Sequence, residues 1–273
     1  MPLAVCATPI GNLEDVTLRV LGELRAADVV LCEDTRRTRI LLERHGIVAR
    51  LLSYHRHNEA ARAEEALARL RAGERLALVS DAGLPGVNDP GARLVRAALA
   101  EGLPVTVLPG PSAVETALVA SGLVGAQYRF LGYLPRRVVQ LRALASELAG
   151  WPHPAVAFES PRRLPAALST LGEAMPGRPA AVCRELTKRF ETIERGTLAE
   201  LAARLCEPVR GEVTVVLGSI AAGERRALRA EVPADAIAAV VELVAEGVPR
   251  KRAAEIVSRL SGAPRSVLYR ATL

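Results

Sequence analysis

SDAGLPGVNDPG, residues Ser80 to Gly91, follows the apolar run Leu76-Ala77-Leu78-Val79 and precedes a helix-like segment, Ala92 to Ala100. Three glycines, two prolines and two aspartates crowd one strand-to-helix turn. Glycine permits positive φ and lets backbone approach a ligand closely, while proline stiffens the turn. In open α/β folds, ligands bind at loops of this kind, outside the carboxyl ends of buried strands. The stretch therefore predicts an α/β fold with a small-molecule site.

Outward from this loop, strand-like and helix-like segments alternate. Leu3 to Thr8, Asp28 to Cys32, Arg50 to Ser53, Leu76 to Val79 and Pro104 to Leu108 read as strands. Asp15 to Ala26, Arg36 to His45, Glu59 to Ala72 and Ala92 to Ala100 read as helices between them. This rhythm predicts a mostly parallel sheet covered on both faces. A second α/β unit follows, with strands at Tyr128 to Tyr133, Ala155 to Phe158, Ala180 to Cys183 and Val213 to Leu217. Its helices are Arg136 to Leu148, Pro161 to Glu173 and Leu198 to Leu205. The expected division is 1–111, 112–222 and 223–273, with a helix from Ser112 bridging the first two units across a cleft. The last part reads as three short helices, Ala234 to Ala245, Arg250 to Leu260 and Pro264 to Arg270. Its pattern resembles a helix-turn-helix, and Arg250, Lys251, Arg252, Arg259, Arg265 and Arg270 make it basic. RNA contact and a plain packing cap are both open readings of this tail.

The chain has 273 residues, half of them hydrophobic, which is ample for two cores. No apolar run reaches the roughly 18 to 20 residues of a membrane span. MPLAVCATP has no basic stretch before its apolar one, so a signal peptide is not expected. Cys6, Cys32, Cys183 and Cys206 form no CxxC pair, so core thiols are expected rather than a metal site. Together these features predict a cytoplasmic protein with no membrane partner. A net charge of +6 favours a polyanionic partner. Lys188 and Lys251 are the only lysines, so the basic residues are almost all arginine. Aromatics make up only 3%, which argues against base stacking as the main binding device. There is no GxGxxG, Walker loop or HExxH, which argues against dinucleotide, NTP and zincin sites.

Four strands end in carboxylates: Glu33-Asp34, Asp81, Glu159 and Glu185. Crowded carboxylates at one sheet edge suit ribose hydroxyls, an amino group or a cation. Asp34 and Asp81 have the alternative role of capping turns. After the first strand comes TPIGNLED, where Asn12 or Asp15 would cap the next helix. After the fifth comes PGPSA, where Ser112 would cap the bridging helix and the backbone beside Ala113 would meet a ligand.

TPIGNLED, CEDTRRTRILL, SYHRHNE, SDAGLPGVNDPG, LPGPSAVETAL, FESPRR, CRELTKRFE and GEVTVV occur in this order over about residues 3 to 218. Together they closely resemble the 16S rRNA cytidine 2′-O-methyltransferases of the tetrapyrrole-methylase-like (class III) methyltransferase family. The resemblance implies two α/β domains with a cleft, a small C-terminal helical region and a homodimer. It implies S-adenosylmethionine as methyl donor, with no metal. The acceptor would be a cytidine ribose 2′-hydroxyl in the decoding centre of 16S rRNA or of the small ribosomal subunit. The donor would touch Ile10, Ser80, Asp81, Ala82, Gly83, Leu84, Ser112, Ala113, Phe158 and Glu185. Asp34, Arg36, Arg37, Arg39, His55, Arg56, His57, Arg162 and Arg252 would face the RNA. The family pattern has histidine where Arg162 stands, a change that a phosphate contact would survive.

Methyl transfer from a sulfonium mainly needs positioning and exclusion of water. A ribose hydroxyl is a weak acid, so a general base helps. Glu159 and Glu185 are candidates, and Lys188 is a third if burial depresses its pKa. Glu185 has the alternative of binding donor only, and Glu159 of pairing with Arg162 or Arg163. Competing functions are a precorrin-type tetrapyrrole methyltransferase of the same fold and a non-catalytic RNA-binding assembly factor.

Overall fold

The computed structural model describes residues 3–220, 233–263 and 265–272. The expected boundary at 222/223 and the helix start at Pro264 lie outside the described residues. So does the side chain of Arg270.

The first half is a five-stranded parallel sheet of β1 (Leu3–Cys6), β2 (Val29–Cys32), β3 (Leu51–Ser53), β4 (Leu76–Leu78) and β5 (Val105–Leu108). The strand order is β3-β2-β4-β1-β5. Strands β1, β2 and β4 are buried on both faces, which is why they read as unbroken apolar runs. Their residues alternate between two cores. Leu3, Val5, Val29, Leu31, Leu76 and Leu78 face α3 (Glu59–Arg71) and α4 (Ala92–Ala100). The smaller Ala4, Cys6, Val30, Cys32 and Ala77 face α1 (Leu18–Ala26) and α2 (Thr35–Arg44). Adjacent strands β1 and β4 therefore send their helices to opposite faces. The loops after them part and leave a crevice, the switch point where such sheets bind ligands.

The second half holds β6 (Arg129–Tyr133), β7 (Ala155–Glu159), β8 (Pro179–Arg184), β9 (Thr192–Thr197) and β10 (Val213–Leu217), ordered β6-β7-β10-β8-β9. Only the β6–β7 pair is parallel. Strand β9, absent from the sequence reading, forms a hairpin with β8 on the sheet edge. One face carries α6 (Val138–Ala149), α7 (Leu164–Ala174) and α8 (Leu198–Arg204). The other carries α5 (Ala113–Ser121), together with Ile10 and Leu186. This last core joins the halves, because Ile10 comes from the loop after β1.

The first helix starts at Leu18, not Asp15, and its cap is Thr17, whose hydroxyl accepts the Val20 N–H. Asn12 instead accepts the Glu14 N–H, within its own turn. The tail forms α9 (Ala234–Ala245), α10 (Arg250–Ser261) and α11 (Arg265–Ala271) around Val240, Ala253, Ala254, Val257 and Leu268. Cys6, Cys32 and Cys183 are buried free thiols, and Cys206 is exposed. Among the described residues no helix is long and apolar enough to cross a membrane.

Candidate active site

A cavity of about 760 Å³ opens between the halves. Its first-half wall is the loop after β4, with Asp81, Ala82, Gly83, Leu84, Asn88 and Asp89. Its floor is Pro109 to Glu115, leading into α5. The second half contributes Phe130, Tyr133, Phe158, Glu159 and Gly211 to Thr214. Ile10, Glu33, Arg37 and Arg56 also line it.

The loop's backbone follows from its glycines. Gly83 has φ +75° and Gly91 has φ +130°, conformations that side chains rarely adopt. Gly83 and Thr8 form an isolated antiparallel bridge, which ties this loop to the one after β1. The Thr8 hydroxyl donates to the Ser80 carbonyl at 2.9 Å. The Ser80 hydroxyl donates to the carbonyls of Ala82 and Gly83. Ser80 is buried and outside the main cavity's lining, so its hydroxyl shapes the loop instead of facing a ligand there.

The carboxylates separate into distinct roles. Asp34 caps α2 and is gripped by Arg36, whose hydrogen bonds hold it below the usual carboxylate range. Neither residue lines the cavity. Asp81 accepts the Asp34 N–H at 3.0 Å and lies 3.6 Å from Arg37. Burial raises the pKa of Glu33, and the charge of Asp81 adds to this. Burial also pushes Asp89 up to about 6, helped by the charges of Glu33 and Asp81 and opposed by Arg56. Asp89 is a cavity residue that the sequence reading passed over. Its position inside the Ser80–Gly91 loop was the available signal.

Glu159 ends β7 with its side chain fully buried against the cavity wall. Its Oε1 accepts the Ser160 N–H at 2.6 Å. Its Oε2 lies 3.1 Å from Nη2 of Arg163, not Arg162. That nitrogen donates to the carbonyls of Leu134 and Pro135, and Oε2 has no hydrogen-bond donor among the described residues. Burial raises the Glu159 pKa, against the Ser160 N–H and the charges of Arg163 and Arg136.

Glu185 and Lys188 sit apart from the main cavity. The Lys188 ammonium bonds Glu185 at 2.9 Å and Glu212 at 3.0 Å. Burial alone would lower the pKa of Lys188, but these two bonds outweigh it and the net shift is upward. The depressed lysine that a basic Lys188 required is thus absent. Lys188 lines a smaller cavity of about 210 Å³ beside Gly11, Arg37 and Ser80.

Ser112 occupies the cap position of α5 but makes no capping bond. Its hydroxyl, like that of Tyr128, bonds Glu115 at the cavity wall. Phe158 packs edge-on to Phe130 and Tyr133, with ring centroids 5.1 Å and 5.7 Å away. Of the expected RNA-facing residues, Arg37 and Arg56 reach the cavity, while His55, His57, Arg39 and Arg162 do not line it. Arg252 lies on α10, paired with Glu255 at 3.2 Å. Among the described residues no group of His, Cys, Asp and Glu is arranged to hold a metal.

Two α/β halves with this cleft define a class. Residues 2–202 match the Tetrapyrrole (Corrin/Porphyrin) Methylases. The fold is also that of uroporphyrin-III C-methyltransferase from Thermus thermophilus, solved with S-adenosylhomocysteine. That comparison gives a TM-score of 0.57 at 21% identity over 80% of this chain and 97% of that one. Within the class, ribosomal RNA small subunit methyltransferase I of Mesorhizobium japonicum is 43% identical, covering 99% of this chain and 91% of its own. The protein of that name from Micromonospora olivasterospora is 44% identical, covering 98% and 85%. The chain belongs to the ribosomal RNA small subunit methyltransferase I family of methyltransferases.

Proposed function

We propose that this chain uses S-adenosylmethionine to methylate the ribose 2′-hydroxyl of a cytidine in the decoding centre of 16S rRNA. It acts as a homodimer built of units 1–111, 112–222 and 223–273. The cavity volume falls within the roughly 300–1,000 Å³ usual for cofactor pockets. Its first-half wall carries Glu33, Asp81 and Asp89, which suits a donor bearing a sulfonium and an ammonium. Gly83 brings backbone to the surface, and Phe158 with Phe130 offers an apolar wall for a planar group.

The donor, when bound, supplies an electrophilic methyl group. Ala82, Gly83 and the Pro109–Ala113 backbone would hold it in place, with the apolar cleft walls limiting access of water. Arg37 and Arg56 draw phosphates to the cavity mouth. Glu159 accepts the proton of the ribose hydroxyl at Oε2. The observation that carries this role is that Glu159 is a cavity-wall carboxylate at the end of β7 whose pKa burial raises and whose Oε2 is held 3.1 Å from Arg163. Because Oε2 is enclosed and paired with Arg163, the transfer requires the Glu159 carboxylate to turn toward the cavity. Glu185 and Lys188 support the site from behind, through Glu212. The test is an acceptor competition with methyl-labelled donor. Label is expected in small-subunit rRNA and not in an anionic porphyrinoid; the reverse would establish a tetrapyrrole methylase.

A further inference from the structure

The chain has only three phenylalanines. Phe130 and Phe158 line the cavity. Phe190 does neither that nor core packing: it is 67% exposed. Among the described phenylalanines and tyrosines it is the most exposed ring, ahead of Tyr133 at 60%.

The loop that carries it is built to hold it out. The Lys188 N–H bonds the Glu185 carbonyl at 3.0 Å, and the Glu191 N–H bonds the Lys188 carbonyl at 3.1 Å. Arg189 and Phe190 are therefore the two central residues of a hydrogen-bonded turn. Glu185 and Thr187 adopt φ of +53° and +65°, which non-glycine residues hold only when their surroundings over-determine them. Those surroundings are present. The Glu191 carboxylate accepts the Thr187 N–H at 2.7 Å, and the Thr187 hydroxyl accepts the Asn12 N–H at 2.9 Å. At the tip, the Arg189 guanidinium stands over the Phe190 ring, 5.5 Å from its centroid. Cation, exposed ring and hydrogen-bonded turn lie two residues from Lys188, which bonds the cavity residue Glu212.

We propose that Arg189 and Phe190 form a stacking finger that receives an unpaired nucleobase of the RNA substrate near the methylated nucleotide. Single-stranded RNA is gripped in this way, by aromatic faces and guanidinium planes that take any base. The proposal rests on the RNA methyltransferase reading above. Because Phe190 is exposed and unpacked, its replacement leaves the fold intact.

The experiment measures affinity of the full chain for purified small-subunit rRNA at fixed salt, with donor affinity by calorimetry and oligomeric state by sedimentation alongside. F190A and F190L are expected to bind the RNA about tenfold or more weakly, within the range of one lost stack. F190Y and F190W retain the affinity, and R189A loses part of it. Donor affinity and oligomeric state stay at wild-type values. Unchanged RNA affinity in F190A would overturn the finger. So would RNA binding by F190L at the wild-type level, or a change of oligomeric state in F190A, which would make Phe190 a contact between copies. If the wild-type chain transfers methyl to no RNA, the underlying reading fails, and the finger with it.

Discussion

Thr8 and Gly83 exchange both backbone hydrogen bonds, N–H to carbonyl, at 2.9 Å and 3.0 Å. This single bridge fastens the loops after two adjacent parallel strands, at the point where their helices leave to opposite faces. It fixes the backbone that reaches the cavity. Gly83 holds φ +75° there. A G83A substitution is therefore expected to cost about 1–2 kcal/mol in stability and to weaken donor binding at least several-fold. Thermal unfolding and calorimetry measure the two effects. Unaltered donor affinity would show that the bridge does not position the site.

Glu159 is the second test. Replacing it with glutamine keeps the shape and removes the base. We expect methyl transfer to fall about 10²- to 10⁴-fold with donor affinity retained. Burial raises its pKa, so the acid limb of kcat/KM in the wild type should lie above the ordinary carboxylate range. R163A removes a charge that lowers this pKa, and should move the limb higher still. A limb that stays in place in R163A would detach Glu159 from the profile.

Asp89 gives a pH dependence of a different kind. Its folded pKa is about 6, above the unfolded value of about 3.9. The folded chain holds this proton more tightly. The associated stability is complete below about pH 4 and is lost as pH rises through about 6. D89N should flatten stability over that window and be the more stable form at neutral pH. A cationic donor favours the ionised carboxylate, so its affinity should fall on acidification from pH 7 to 5, and fall less in D89N. Identical pH profiles for the two proteins would refute the link.

Gly11 marks where the halves are pressed together. A Cβ there would meet Cγ of Lys188 at 2.6 Å and the Leu186 carbonyl oxygen at 2.7 Å. The lysine stem can swing away, but the backbone oxygen cannot. G11A should destabilise the chain by about 1–3 kcal/mol. It should also loosen the turn that carries Thr187, detectable as faster amide exchange at Asn12. Wild-type exchange in a folded G11A protein would contradict the packing described.

The parallel first half was legible because β1, β2 and β4 are buried on both faces and show as apolar runs between helical periods. The antiparallel order of the second sheet was not, since pairing direction leaves no mark on such runs. TIERGT, the edge strand β9, is half exposed and has no apolar run to reveal it. In the site, the Ser80–Gly91 loop announced itself through glycine and proline. Within it, Ser80 turned inward and Asp89 outward to the cavity, a difference set by backbone turns that composition does not encode. That Glu159 pairs with Arg163 and not Arg162 likewise depends on the turn after β7, which the residue order FESPRR does not reveal. Glu185 and Lys188 drew attention as charged residues after a strand; the hydrogen bonds of the Lys188 ammonium to both Glu185 and Glu212 could not be read from their order.

The central claim is transfer of a methyl group to a ribose hydroxyl. The most direct measurement incubates the protein with isotopically labelled S-adenosylmethionine and small-subunit rRNA, both naked and in assembled subunits, and maps the label by mass spectrometry of nucleosides. The expected result is one labelled cytidine in the decoding centre, its added mass on the ribose. Label on a base atom, or no label in either RNA, would contradict it.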